Sequence, residues 1–400
     1  MSTTGDRLDV LYLTHNYPRH PTDFAGRFIA HLAALIQTEG RFGRIGILAP
    51  HYPGAATEET LDGIAVRRFR YGADADEQIA YQGDWRGVSL TGPRGLWAHR
   101  RFFRSFSRAA HAFVAQSQPR LIHAHWWVPA GWVARSFGRR LPLVVTLHGS
   151  DLRLLESKRW MRPLASQVFR QAGIITTVSS WLADSLRTMF PAAAAKIRVA
   201  SMPPNDDVFG PGAAEPAANA IPQILCVTRF TGQKRNGVLL EALAALHGEG
   251  QPFHCRFIGA GGSEEQAVVQ RAADLGLSST VEFVGAVDQP RLAAAYRDAD
   301  LTVLPAVEEG FGMALVEAQL CGCATVGVRS GGITDIVDDG VSGYLAQPDD
   351  AADLARVLRR ALADPEARRR MAQQGRESAV RTFASAVIAG RFISWYESLL

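Results

Sequence analysis

The stretch "EEGFGMALVEAQLCG", residues 308–322, sets Glu309 and Glu317 eight residues apart around a Gly-Phe-Gly. Just ahead, "DLTVLPA" reads as a strand and "VEEGFG" as the loop at its carboxyl end; "MALVEAQLCG" then reads as a helix closed by Gly322, where a left-handed cap is common. A strand that passes into a helix through a glycine-broken loop is the repeating unit of a parallel α/β sheet. The N–H groups of Gly312, Met313 and Ala314 then project from the helix start and favour an anion such as a diphosphate, and Gly310 and Gly312 let backbone approach it. Glu317, about one turn further on, is placed to accept hydrogen bonds from a vicinal diol such as a ribose, and Glu309 from a sugar beyond the phosphates. The plainer alternative has Glu308 and Glu309 in a solvated loop and Glu317 on a helix surface.

The same grammar runs in both directions from this stretch. "DVLYLT", "RIGILAP", "RLIHAH", "PLVVTLHG", "GIITTV" and "KIRVAS" alternate with amphipathic segments in the first half. "PQILCVTRF", "FHCRFIGAG", "TVEFVGAV" and "ATVGV" join "DLTVLPA" in the second. Between the halves, "GPGAAEPAANAIP", residues 210–222, has no periodicity and reads as a linker. The pattern predicts two doubly wound domains, 1–210 and 220–375, with ligands beyond the carboxyl ends of the strands in a cleft that both line.

Four hundred residues, 47% hydrophobic and 20% charged, describe ordinary globular material. "MSTTGDR" and the short apolar run after it lack the pattern of a signal peptide, and no stretch has the length of a membrane span, which predicts a cytoplasmic chain. The cysteines, 226, 255, 321 and 323, sit in apolar surroundings without ligand spacing and are expected to be buried thiols. Charge is unevenly divided: residues 1–212 carry 26 Lys/Arg against 16 Asp/Glu, residues 213–400 carry 17 against 23. The basic half suits an anionic surface or an acidic substrate, or simply reflects arginine usage; no nucleic-acid partner is expected.

A second cluster falls at another strand end. In "ILCVTRFTGQKRNGVLLEAL", Arg229 offers a planar fork and Lys234 a compact charge to phosphate oxygens. With these residues placed, the second half resembles the donor domain of the retaining glycosyltransferases of family 4, which have the GT-B architecture of two Rossmann-like parallel-sheet domains facing across a cleft. "TRFTGQK" resembles that family's Arg, four residues, Lys motif, and "EGFGMALVE" its Glu, seven residues, Glu motif. "CGCATVGVRSGGITDIVDDGVSGYLAQPDD" resembles the following strand, Gly-Gly turn and Asp-Gly hairpin, and "VEFVGAVDQPRLAAAYRDADLTVLP" the stretch beside the base.

The resemblance implies a hexosyltransferase that moves a sugar from a UDP- or GDP-linked donor to a saccharide or lipid-linked acceptor with retention, using no bound metal and no further cofactor. Arg229 and Lys234 would neutralise the leaving diphosphate, Glu309 hold donor-sugar hydroxyls and Glu317 the ribose, with Gly310, Phe311, Gly312, Met313 and Ala314 lining the donor. Gly26, before the helix of "THNYPRHPTDFAGRFIAHLAAL", would bring backbone to the diphosphate, although Ala25 stands where a second glycine is common. "VVTLHGSDL" resembles the segment whose histidine faces the donor sugar, here His148, although a lone histidine beside a strand also suits a core hydrogen bond. In this architecture the last helix, "ASAVIAGRFISWYESLL", would cross back to the first domain with Val387, Phe392, Trp395 and Leu399 on its apolar face.

Some positions depart from the pattern. Arg235 follows the lysine where glycine is usual, which adds charge near the phosphates, and "SMPPNDDVFGP" replaces the usual crossover with a proline-rich one. Asp-x-Asp occurs in "DADE", residues 74–77, and in "RDADL", residues 297–301; both read as structural. No nucleophile stands opposite the glutamates, which suits front-face substitution. A nucleotide-sugar epimerase, a GT-B enzyme on a soluble acceptor, and a silent nucleotide-sugar-binding module remain alternatives.

In "PRGLWAHRRFFRSFSRAAHAFV", residues 93–114, helical spacing aligns Arg94, Trp97, Arg101, Arg104 and Arg108, with Phe103, Phe106, Ala110 and Phe113 opposite. The stripe is either a solvated helix face or a contact with anionic head groups. The second reading places the protein peripherally on the inner leaflet of the cytoplasmic membrane, in cell-envelope polysaccharide or glycolipid synthesis.

Overall fold

Every run singled out above as a strand pairs into one of two sheets. The computed structural model describes residues 7–20, 23, 25–77, 79–81, 92–212 and 219–400. One unit holds the described residues up to Val178, together with Leu182–Pro203 and Ile388–Leu400; the other holds Ser179–Trp181 and the described residues of Pro204–Val387. Residues 213–218, the middle of the expected linker, lie outside the described residues.

The first unit is built on β1 (Val10–Leu13), β2 (Ile45–Pro50), β3 (Glu58–Leu61), β4 (Ile64–Phe69), β5 (Leu121–His125), β6 (Leu143–Leu147), β7 (Ile174–Thr177) and β8 (Ile197–Val199). Their order is β3-β4-β2-β1-β5-β6-β7-β8, parallel except for β3 against β4. That pair is a hairpin the periodicity missed. Its turn residues Asp62 and Gly63 both have positive φ, the Asp-Gly signature of a two-residue turn. β1, β2, β5, β6 and β7 are buried along their whole length, as a sheet covered on both faces requires.

The second unit uses β9 (Gln223–Val227), β10 (His254–Ile258), β11 (Val281–Gly285), β12 (Leu301–Val303), β13 (Ala324–Val328) and β14 (Tyr344–Ala346), all parallel in the order β11-β10-β9-β12-β13-β14. The expected Asp-Gly hairpin is corrected here. Asp339 and Gly340 lead into β14, which pairs parallel to β13, because the chain must return to the same edge before its next helix. The thiols of Cys226, Cys255, Cys321 and Cys323 are free and buried.

Two helix faces are also corrected. In the helix Pro93–Ser117 the core side is Phe102, Phe106, Ala110 and Phe113, whereas Phe103 is only half-buried. From Ile388 onward the last helix buries Ile388, Ala389, Phe392, Ile393 and Tyr396, while Val387, Trp395 and Leu399 stay half-buried. The reason is polar. The Tyr396 hydroxyl sits 2.9 Å from the Tyr12 hydroxyl and 2.7 Å from His123 Nδ1, which rotates that face inward.

Candidate active site

In the second unit, the loops after β9, β12 and β13 are stitched together by backbone. Val307 N–H donates to the Gln233 carbonyl at 3.0 Å, and Gln233 Nε2 returns a bond to the Glu308 carbonyl at 2.9 Å. Glu308 N–H donates to Ser330 Oγ at 2.8 Å, and Gly332 N–H to the Glu309 carbonyl at 2.8 Å. Gly331 has φ 62° and approaches so closely that a Cβ there would stand 2.3 Å from the Glu309 carbonyl oxygen. The Gly-Gly turn therefore buttresses the glutamate loop.

That stitching brings Lys234 and Glu309 together, Nζ to Oε2 at 2.8 Å, both side chains partly open. Arg229, past the end of β9, is exposed, and its guanidinium makes no hydrogen bond or ion pair among the described residues. Arg235 does not add free charge. Its φ of 49° explains the usual glycine, and its guanidinium is drawn to Asp349 at 2.5 Å and to the Gly232 carbonyl.

The helix Met313–Leu320 starts at Gly312, φ 111°; Leu315 N–H donates to the Gly312 carbonyl at 2.9 Å, and the amides of Met313 and Ala314 have no preceding turn to donate to. Gly322 and Cys323 close it by donating to the Gln319 and Ala318 carbonyls at 3.0 and 2.9 Å. The Phe311 ring is buried edge-on against Phe383, with centroids 5.2 Å apart, and anchors the loop there. Gly310 and Gly312 are buried as well, while Met313 and Ala314 are half-buried.

Glu317 is half-buried and accepts from the Tyr296 hydroxyl at 3.1 Å. Burial pushes its carboxyl up to about 7, against a smaller lowering by that bond. The apo fold accordingly favours protonated Glu317, and this contribution to stability fades as pH rises through about 7. In the ribose-binding role that the family resemblance implies for Glu317, the ionised carboxylate is the stronger acceptor, so nucleotide affinity is expected to strengthen from pH 6 to 8, flattening above about 7. Titration calorimetry across that range checks this; Glu317→Gln should abolish the pH dependence.

In the first unit, Gly26 caps the helix Arg27–Thr38 at φ 68°. A Cβ there would stand 2.3 Å from the Asn16 carbonyl oxygen, so the local backbone alone demands this glycine. The His148 ring, after β6, lies tilted against those of Trp126 and Phe28, with centroids 4.3 and 5.1 Å away, and its Nε2 lies 3.1 Å from His125 Nδ1. Burial, then His125 and His15, hold His148 well below the usual histidine range. Buried His125 is lowered likewise, and burial brings His15 down to about 3, so neutral rings line this edge.

Asp151 fixes the loop. Its Oδ1 accepts the N–H groups of His148, Gly149 and Leu152, each at 3.1 Å, and its Oδ2 that of Trp127 at 3.4 Å. His125 and Asp151 carried no role in the sequence reading. The signal was "HAH", since a period of two puts His123 and His125 on one face of β5.

Of the Asp-x-Asp residues, Asp74, Asp76 and Asp300 meet arginines. Asp74 pairs with Arg70 at 2.6 Å and Asp76 with Arg101 at 3.3 Å, while Asp300 accepts from Asn219, Gln223 and Arg368. Asp74 also groups with His51 and Glu77, their ligand atoms within 4.8 Å of one another. The adjacent cavity, about 560 Å³, is lined by Arg19, Tyr52, Asp74, Glu77 and Tyr81 among others.

Residues 25–203 match the family described as Glycosyltransferase Family 4, and residues 214–378 that described as Glycosyl transferases group 1. The D-inositol 3-phosphate glycosyltransferases of Saccharomonospora viridis and Streptosporangium roseum are each 31% identical, over 304 and 302 residues. These matches cover 70% and 69% of this chain and 70% and 68% of those proteins. In fold the chain is similar to sucrose-phosphate synthase from Thermosynechococcus elongatus, with a TM-score of 0.80 at 21% identity over 98% of this chain and 99% of that one. It is also similar to Anabaena HepE in complex with UDP, with a TM-score of 0.71 at 19% identity over 98% and 100%. Two doubly wound units of this kind define the GT-B fold. More narrowly, the chain belongs to glycosyltransferase family 4.

Proposed function

We propose that this glycosyltransferase moves a sugar from a UDP- or GDP-linked donor to a saccharide or lipid-linked acceptor with retention of configuration. The observation that carries the reading is the Lys234–Glu309 pair, in the same unit as the helix start at Gly312 and as exposed Arg229, whose guanidinium has no partner among the described residues. A donor diphosphate entering there meets two cations and first-turn amides, while Glu309 is freed to take sugar hydroxyls. The family resemblance assigns His148 to the donor sugar and Gly26 to the diphosphate. In the step itself the anomeric carbon–phosphate oxygen bond breaks as the acceptor oxygen bonds the same carbon on the same face. The departing phosphate oxygen takes the acceptor proton, and stabilising its charge is the main catalytic contribution.

The reading is tested by incubating the protein with a panel of nucleotide-sugars, with and without saccharide or lipid-linked acceptors, and following nucleotide release. Release that requires the acceptor supports transfer. Release-free interconversion of the donor would instead indicate an epimerase. Product anomers read by NMR decide retention. On this reading side chains and a helix terminus offset the diphosphate charge, so activity is expected to survive dialysis against excess chelator; loss restored by magnesium or manganese would overturn the metal-free reading.

The acceptor is proposed to be membrane-borne. Arg94, Trp97, Arg104 and their neighbours are exposed along the helix Pro93–Ser117, with the Arg101 guanidinium 4.6 Å over the Trp97 ring. Among the described residues no helix is long and apolar enough to cross a membrane, so attachment would be peripheral, to the anionic inner leaflet of the cytoplasmic membrane, in cell-envelope polysaccharide or glycolipid synthesis.

A further inference from the structure

We propose that the unit carrying the eight-stranded sheet docks on an anionic bilayer at two points, the Trp97 groove and a second one centred on Trp160. The inference rests on the peripheral docking just described and adds a contact that fixes orientation.

Leu96, Trp97 and Trp160 are 64%, 60% and 66% exposed, which places them above every other exposed large apolar residue among the described residues. Trp160 lies in the tight turn Arg159–Met161 that opens the helix Arg162–Gln171. It is flanked by exposed Lys158 and Arg159 and by half-buried Arg162, with Glu156 the nearest carboxylate in sequence. A tryptophan presented to water among cations suits a bilayer interface, where the ring enters the head-group region and the cations meet phosphates.

Topology puts both tryptophans on one side. The connection from β4 to β5, which contains the helix Pro93–Ser117, and that from β6 to β7, which contains Arg162–Gln171, run in the same direction across the sheet. Parallel crossovers are right-handed, so both helices cover the same face. Each helix also ends just before the strand it feeds, β5 or β7, so Trp97 and Trp160 stand toward the carboxyl edge. The first helix has 25 residues and spans about 37 Å. The five-residue strand β5 spans roughly half of that, so the first turns project past the strands.

Charge selects an anionic occupant. From Trp85 to Ser150 the sequence holds ten arginines and no Asp or Glu. Trp97, Arg100, Arg101, Arg104, Ser105 and Arg108 line a groove of about 340 Å³, where Arg100, Arg104 and Arg108 beside the Arg101–Asp76 pair can meet a phosphodiester head group. One such point leaves the unit free to swivel. Two points raise the effective concentration of each for the surface and turn the carboxyl edge of the sheet, where β-strand ligands bind, toward the lipid.

The full chain is to be co-sedimented with phosphatidylcholine vesicles with and without phosphatidylglycerol at low salt. Wild type should bind only the anionic vesicles. A variant with Trp160→Ala, Lys158→Glu and Arg159→Glu should partition about tenfold more weakly, and Trp160→Ala alone measurably so, with unchanged Tm because these side chains are exposed. Binding within twofold of wild type by the triple variant, while Arg101→Glu, Arg104→Glu and Arg108→Glu abolish binding, overturns the second point and leaves the first. Absence of wild-type binding overturns the docking itself. Displacement from vesicles by inorganic phosphate at constant ionic strength would identify the groove as a soluble-anion site and overturn the bilayer assignment.

Discussion

Replacing Lys234 by alanine is expected to lower turnover by about 10²–10³-fold with little change in fold, the loss typical of one positioned group that stabilises transition-state charge. In the apo protein Lys234 pairs with Glu309 at 2.8 Å, so its removal also leaves a partly buried carboxylate without its cation. The effect should fall on kcat more than on donor affinity, because diphosphate charge develops as the bond to the sugar breaks. Arg229→Ala should act in the same direction and by a similar factor. Steady-state kinetics with a fixed donor check both. Near-normal turnover by both variants would remove these residues from the donor site.

Asp151→Ala is expected to cost on the order of 3–5 kcal/mol of stability, since it leaves several buried amides without their acceptor. The carboxylate is 3% exposed and takes four backbone N–H groups, among them that of His148. Activity should fall further than stability explains, because the same bonds hold the His148 loop against Trp127. Thermal melts and kinetics on the folded fraction check this, with Asp151→Asn retaining more of both through its remaining carbonyl oxygen. Burial raises the Asp151 carboxyl from 3.8 to about 6. Its favourable contribution is therefore complete below 3.8 and is lost as pH rises through about 6. The stability gap between wild type and Asp151→Asn should shift toward the asparagine variant across that window and stay constant above it.

Much of this could be read from local pattern. Short β-branched runs separated by amphipathic segments specify parallel strands and helices on both faces, because both periods are set by backbone geometry and the need to bury apolar side chains. The glycine-broken loop before Met313–Leu320 and its Gly322 cap were legible for the same reason: glycine alone takes those dihedrals cheaply. The hairpin between β3 and β4 was missed although Asp62-Gly63 announces it, since Glu58–Leu61 has little apolar content to mark a strand.

Sequence by itself determined the two-sheet parallel fold, the loops that carry Arg229, Lys234 and Glu309, the helix that carries Glu317, and the family, because each of these depends on residues near one another in the chain. Only the tertiary structure decided which charges remain available. It bound Arg235 to Asp349 and Lys234 to Glu309 and left Arg229 open. It also turned Phe311 into an anchor on Phe383 and assembled His148, His125 and Asp151 from two strand ends. Partners separated by 23 to 114 residues meet only after the strands pair, and the energy of a charge is set by burial and by its partner, neither of which any local stretch contains.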